Sequence, residues 1–138
     1  NNLTYEQKVE WLKSYQAHDR KIEILTEELS RWNARATKIT ASFSSEPKAS
    51  GSGDKLQKCV DKICEIQSEI TQEMVSLKER KKEIEEAIKM LKEKSEEDIL
   101  WYRYIKGMTF EEIAVQMNYS WRQVYRKHRI SVEKLKMS

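Results

Sequence analysis

Apolar side chains return along the first part of the chain in alternating steps of four and three: Trp11, Tyr15, Ile22, Leu25, Leu29, Trp32, Ala36 and Ile39. His18 holds the one polar place in that series. A mean step of 3.5 residues keeps these side chains on one stripe of a helix, the pattern of a coiled-coil seam or of a long helical hairpin. Thr4 and Gln7 stand ahead of it at the spacing of a capping box, in which each side chain satisfies the other's free backbone N–H. A helix is therefore expected to begin there. His18 reads as a tolerated seam position rather than a ligand.

The pattern stops at residues 40–54, TASFSSEPKASGSGD, which hold the only Pro, two of the three Gly and five Ser. Such a stretch predicts a flexible connector. Periodicity resumes after Asp54, which reads as an N-cap. Leu56, Ile63, Ile70, Leu77, Ile84 and Leu91 follow one heptad apart, with Val60, Ile66, Met74, Ala87 and Ile88 beside them. Residues 55–94 would make a helix roughly 60 Å long, folded back on the first. The mixed charges of KERKKEIEE read as its solvated face.

A third segment opens at Ser95, with Asp98 three residues on, and runs through DILWYRYIK to Gly107. Thr109 and Glu112 repeat the capping-box spacing before the short apolar helix FEEIAVQM, Asn118 and Tyr119 break it, and Ser120 caps a last helix. The expected architecture is all-α: a long antiparallel hairpin over residues 1–94, with the connector 40–54, followed by a small helical domain over 95–138. Trp101, Tyr102 and Tyr104 read as the core of that domain, and Trp11 and Trp32 as filling of the seam.

Composition narrows the function classes. No apolar run is long enough to span a bilayer, and NNLTYEQKVE lacks the layout of a signal peptide, so a cytoplasmic location without membrane contact is expected. Cys59 and Cys64 are five apart, a spacing that suits neither a CxxC pair nor a zinc finger, and they read as reduced, packed thiols. There is no Gly-rich phosphate loop, nucleophile elbow or His and carboxylate cluster. The chain is read as not an enzyme, with no cofactor and no metal. The formal net charge of +3 is uneven: residues 118–138 carry +5 and the preceding residues −2. The basic charge therefore sits in the last helix.

EEIAVQMNYSWRQVYRKHR resembles a helix-turn-helix. Ala114 is the small residue where two helices cross, Asn118 stands at the turn where families usually place Gly, and Val124 lies on the buried side of the second helix. The larger span DILWYRYIKGMTFEEIAVQMNYSWRQVYRKHRISVEKLK resembles the fourth conserved region of bacterial sigma factors. Val124, Ser131 and Leu135 fall on its inner face, and His128 stands where an aliphatic residue is more usual. The whole chain is similar to small phage or prophage regulators of Gram-positive bacteria, the ArpU-like and related families. That resemblance implies a transcription regulator that binds double-stranded DNA, with RNA polymerase or another regulator as a further partner.

In a recognition helix the N-terminal residues meet base edges while flanking groups hold phosphates. Counted from Ser120, Arg122 and Arg126 share a face suited to guanine, Gln123 suits adenine, Lys127 and Arg129 suit phosphates, and Trp121 and Tyr125 suit thymine methyls or sugars. Leu12, Cys59, Ile66 and Ala87, lying beside the seams, suggest that a second copy completes a four-helix homodimer. The rival reading is a helical interaction protein, an anti-repressor or host-factor inhibitor, that retains the helix-turn-helix only as scaffold.

Overall fold

The computed structural model describes residues 3–45 and 52–136, and these are all-helical, with no strand among the described residues. The elements are α1 (Tyr5–Ser45), α2 (Ser52–Lys89), α3 (Lys94–Tyr104), α4 (Phe110–Met117) and α5 (Trp121–Lys134). The expected capping box opens α1: Gln7 N–H donates to Thr4 Oγ1 at 3.1 Å, and Thr4 N–H donates to Gln7 Oε1 at 2.9 Å. The connector expected over 40–54 is narrower at both ends. Residues 40–45 continue α1 and Ser52 already belongs to α2, so Asp54 lies in the first turn of that helix rather than at its cap. The remainder, 46–51, lies outside the described residues.

α2 ends at Lys89, short of the expected residue 94. Met90 and Leu91 tighten the last turn by donating three residues back, to the carbonyls of Ala87 and Ile88, and Leu91 turns into the core. α3 begins at Lys94, with Glu93 at its cap and no side-chain bond there. Ser95, expected as the start signal, sits inside the helix and accepts from Lys127 Nζ at 3.3 Å instead.

Packing groups the residues into two compact units, one holding residues up to His18 with those from Ser76 onward, the other Asp19–Val75. In the second unit Leu25, Cys59 and Ile66 are buried, and Lys21 pairs with Glu73 at 3.4 Å. Cys59 is packed as expected, but Cys64 is exposed. Val60 and Met74, placed beside the seam by their apolarity, are 41% and 55% exposed. In this unit the seam of α2 steps by three from its heptad line, to Cys59, Ile66 and Glu73, whereas near the end of the helix Ile88, four beyond Ile84, is the buried neighbour.

The first unit carries two clusters. Leu12, Ile84, Ile88 and Leu91 pack with Leu100, Tyr104, Val132 and Leu135, so the start of α1 and the end of α2 share one core with α3 and α5. Ile99, Ile113, Ala114 and Val124 form the second, where α3, α4 and α5 meet. The sequence boundary at 94/95 thus runs through the first cluster. Leu12, Cys59 and Ile66, expected to face a second copy, are already buried within one chain. Glu96, only 3% exposed, bridges α3 to α5 by accepting from Lys134 Nζ at 3.1 Å on both oxygens. No helix among the described residues is long and apolar enough to cross a membrane.

Candidate nucleic-acid interface

The turn between α4 and α5 follows from three local devices. Thr109 caps α4 in a complete capping box with Glu112, at 2.8 and 3.1 Å. Asn118 then takes the left-handed conformation, φ 57° and ψ 44°, which Asn tolerates better than other side chains. Tyr119 N–H reaches back to Ala114 O at 2.9 Å and Asn118 N–H to Val115 O at 3.3 Å, the paired bonds of a Schellman stop. Ser120 restarts the chain as α5 in a second box with Gln123. Ala114, Val124, Ser131 and Leu135 are buried, so the inner side of α5 is the one its sequence pattern marks.

The outward side separates the seven expected contact residues into groups. Arg122 and Arg126, one turn apart, are exposed. Trp121 and Tyr125 are half-exposed and stacked edge-on at 4.5 Å, and Tyr125 lies on Phe110, also at 4.5 Å. Arg103 lies over the Phe110 ring, 4.2 Å from its centroid, and donates to Met108 O at 3.0 Å. Gln123 is bound locally: its Oε1 accepts the Ser120 N–H at 2.8 Å, so an adenine contact through that oxygen competes with the cap. Lys127 turns away from the arginines toward the start of α3, bonded to Ser95, 3.8 Å from Glu93 and over the Tyr119 ring. Arg129 pairs with Glu133 at 3.6 Å and lies over Tyr5 at 4.3 Å.

Opposite α5 stands the first stretch of α1, which sequence reasoning did not connect with this surface. Lys8 Nζ donates to Glu133 O at 2.9 Å. Between the two helices runs a groove of about 880 Å³. Glu6 and Glu10 line its α1 side, Arg122 and Arg126 its α5 side, and Phe110 and Tyr125 join the aromatic lining. No local signal marks Tyr5, Glu6 or Glu10 as members of the site, because more than a hundred residues separate them from α5. Phe110 was legible only as part of an apolar helix.

His128, the titratable residue on the inner face, sits in the same region and is 5% exposed. It shares hydrogen bonds with Tyr104 Oη at 2.7 Å and Tyr5 Oη at 3.5 Å, and meets Phe110 edge-on at 4.9 Å. These partners answer for a polar ring where packing alone would favour an aliphatic one. Burial, helped by the neighbouring Arg103 charge, lowers its pKa to about 4, so the ring is neutral near pH 7. Burial likewise pushes Tyr104 up to about 12 and raises Tyr5. Among the described residues no three His, Cys, Asp or Glu side chains are grouped to hold a metal ion.

One family model matches the chain, described as Protein of unknown function (DUF1492), over residues 38–136. The match takes in the last turns of α1, all of α2 and the three C-terminal helices. No curated protein and no solved structure matches.

Proposed function

The chain belongs to the DUF1492 family, and we propose that α4 and α5 form a helix-turn-helix by which it binds double-stranded DNA and regulates transcription. The observation that carries this reading is the conjunction at one turn of a buried crossing residue, Ala114, a left-handed Asn118 and a capped α5. The exposed start of that α5 bears Arg122 and Arg126, whose side chains make no hydrogen bond or ion pair among the described residues. A helix that enters the major groove needs a fixed angle to its partner and unoccupied forked donors at its N-terminal end. The resemblance to the fourth region of sigma factors and to phage regulators adds transcription and RNA polymerase as a further partner.

In this reading Arg122 and Arg126 take base edges and Arg129 a phosphate. Trp121 and Tyr125 brace the backbone or thymine methyls. Gln123 serves the cap first and bases second, and Lys127 reaches a phosphate only by leaving Ser95. The test is selection of bound duplexes from a random pool by the full chain, followed by titration of the enriched site. The expected outcome is one enriched motif, with log affinity falling against log salt by about 0.9 per neutralised phosphate. Arg122→Ala should weaken that site by about 1–3 kcal/mol and relax one base position. A pool that stays flat, or affinity indifferent to salt, overturns the proposal.

A further inference from the structure

The groove between α1 and α5 has features that duplex reading does not use. It is concave, falls within the size range of small-molecule sites, and has walls of opposite sign. Counted over the lining, the α5 side is net positive, with Arg122, Arg126 and Arg129 against Glu133, and the α1 side is net negative, with Glu6 and Glu10 against Lys13, while Arg103 and aromatic rings share the lining. Glu6, Glu10, Arg122 and Arg126 form no hydrogen bond or ion pair among the described residues. A duplex brings only phosphates and base edges to α5, and Glu6 and Glu10 would repel the phosphates.

The chemistry of the walls limits the occupant. A purely apolar ligand would take these charges out of water without pairing them, a polyanion meets the carboxylates of Glu6 and Glu10, and a polycation meets the arginines. A nucleotide matches each part: an anionic phosphate at one end, a flat π face, and a base edge bearing N–H donors at the other. Phosphate suits the forked arginines, and bases stack on Trp and Tyr faces. Guanine fits the acidic wall best, because its N1–H and N2–H₂ stand side by side and match the two oxygens of a carboxylate.

We propose that this groove binds one guanine nucleotide, with its phosphate on Arg122 and Arg126, its base against Trp121 and Tyr125, and its donor edge on Glu6 or Glu10. The nucleotide comes either free or as an unpaired residue of a nucleic-acid strand. Because it occupies the two arginines, it competes with duplex, and that competition rests on the DNA reading above, whereas nucleotide binding itself does not.

The experiment titrates the full chain with guanosine monophosphate, uridine monophosphate, a short single-stranded oligonucleotide with one guanine in a uracil or thymine context, and a random-sequence duplex. It is repeated with Arg126→Ala and with the double variant Glu6→Gln/Glu10→Gln, all exposed positions whose folding is checked by circular dichroism. The expected result is that the guanine nucleotide binds at least tenfold tighter than the uracil one. Arg126→Ala should weaken both about tenfold, and the double Gln variant should erase the preference while leaving phosphate-dependent binding. Binding of the guanine-bearing strand but not of the mononucleotide, with the same response to the variants, also supports the site and assigns its source to an unpaired base. Duplex binding without binding of either single-stranded form overturns this inference and leaves the DNA reading standing. Nucleotide binding indifferent to both variants overturns it too, and loss of every nucleic-acid interaction sinks both readings.

Discussion

At residue scale the most informative group is His128. It lies on the face of α5 that packs inward, and Tyr5 from α1, Tyr104 and Arg103 from α3 and Phe110 from α4 surround it. Its folded pKa of about 4 lies below the ordinary histidine value of 6.5, so between those values the unfolded chain binds a proton that the folded chain refuses. Stability from this residue is therefore complete above pH 6.5 and falls as pH drops toward 4, by on the order of 3 kcal/mol. Unfolding measured at pH 7 and pH 4.5 should show that loss, and His128→Gln, which keeps a hydrogen-bonding partner for Tyr104 but does not titrate, should flatten the dependence. An equal slope in both proteins would rule His128 out as its source. Gly107 is the second residue whose role is local and testable. Its φ is +75°, and a Cβ there would stand 2.8 Å from Gln16 Nε2. The Gln16 tip can move, so the lasting cost of Gly107→Ala is the backbone, about 1–2 kcal/mol. Adding Gln16→Ala should recover little of it, and full recovery would mark the cost as steric.

At the scale of elements, the caps set where helices start and stop. Ser120 holds the first turn of α5 through Gln123 N–H, at 3.2 Å. Ser120→Ala should cost about 1 kcal/mol of stability, read as a lower urea midpoint with unchanged slope, while also loosening the angle at which Arg122 is presented. Three of these starts were legible in the sequence, at Thr4, Thr109 and Ser120, because a capping box is written within four residues and needs no tertiary partner. Asn118 was legible through its tolerance of positive φ at a turn, and Ala114 only through the resemblance to a helix-turn-helix, since a crossing needs a partner helix. The seam of α2 was legible only in part. Scoring apolar residues alone selected Val60 and Met74, which are exposed, because the true stripe passes through polar positions. Glu73 fills its place by pairing with Lys21, and Arg80 fills its own by donating to Ser14 Oγ at 2.7 Å and lying 5.7 Å from the Trp11 ring. A polar residue on a helix seam gives no periodic signal until its partner is known. Lys127 shows the same limit at the site: its place in the basic stretch suggested a phosphate, whereas Ser95 and Glu93, some thirty residues earlier, decide where its ammonium goes. Arg80→Ala should accordingly destabilise more than Lys78→Ala, whose side chain is exposed; equal costs in urea unfolding would show that the seam contact contributes nothing.

At the scale of the whole molecule, the C-terminal helices do not enclose their own core. The cluster that holds α3 to α5 includes Leu12, Ile84 and Ile88, all essentially inaccessible to solvent, so the proposed DNA-reading helix is completed by segments that begin the chain and end α2. Two consequences follow. Leu12, Cys59 and Ile66 are already buried within one chain, and self-association would have to draw on exposed groups such as Ile24, Met74 and Val75. And residues 95–138 alone should fail to fold, since their inner face would expose Leu100, Tyr104, Val132 and Leu135 to water. The sharper test keeps the chain intact. Leu12→Ala removes a fully buried side chain and should cost about 2–5 kcal/mol, with the loss reported far away in sequence, as faster amide exchange along α5. Leu25→Ala, in the other compact unit, carries a similar local cost but should leave α5 protection nearly unchanged where exchange proceeds by local opening. If Leu12→Ala leaves the exchange of α5 untouched and the 95–138 fragment gives a cooperative unfolding transition, the helices that bear Arg122 and Arg126 are a self-sufficient domain. The start of α1 would then be a neighbour of the site and not part of what holds it in shape.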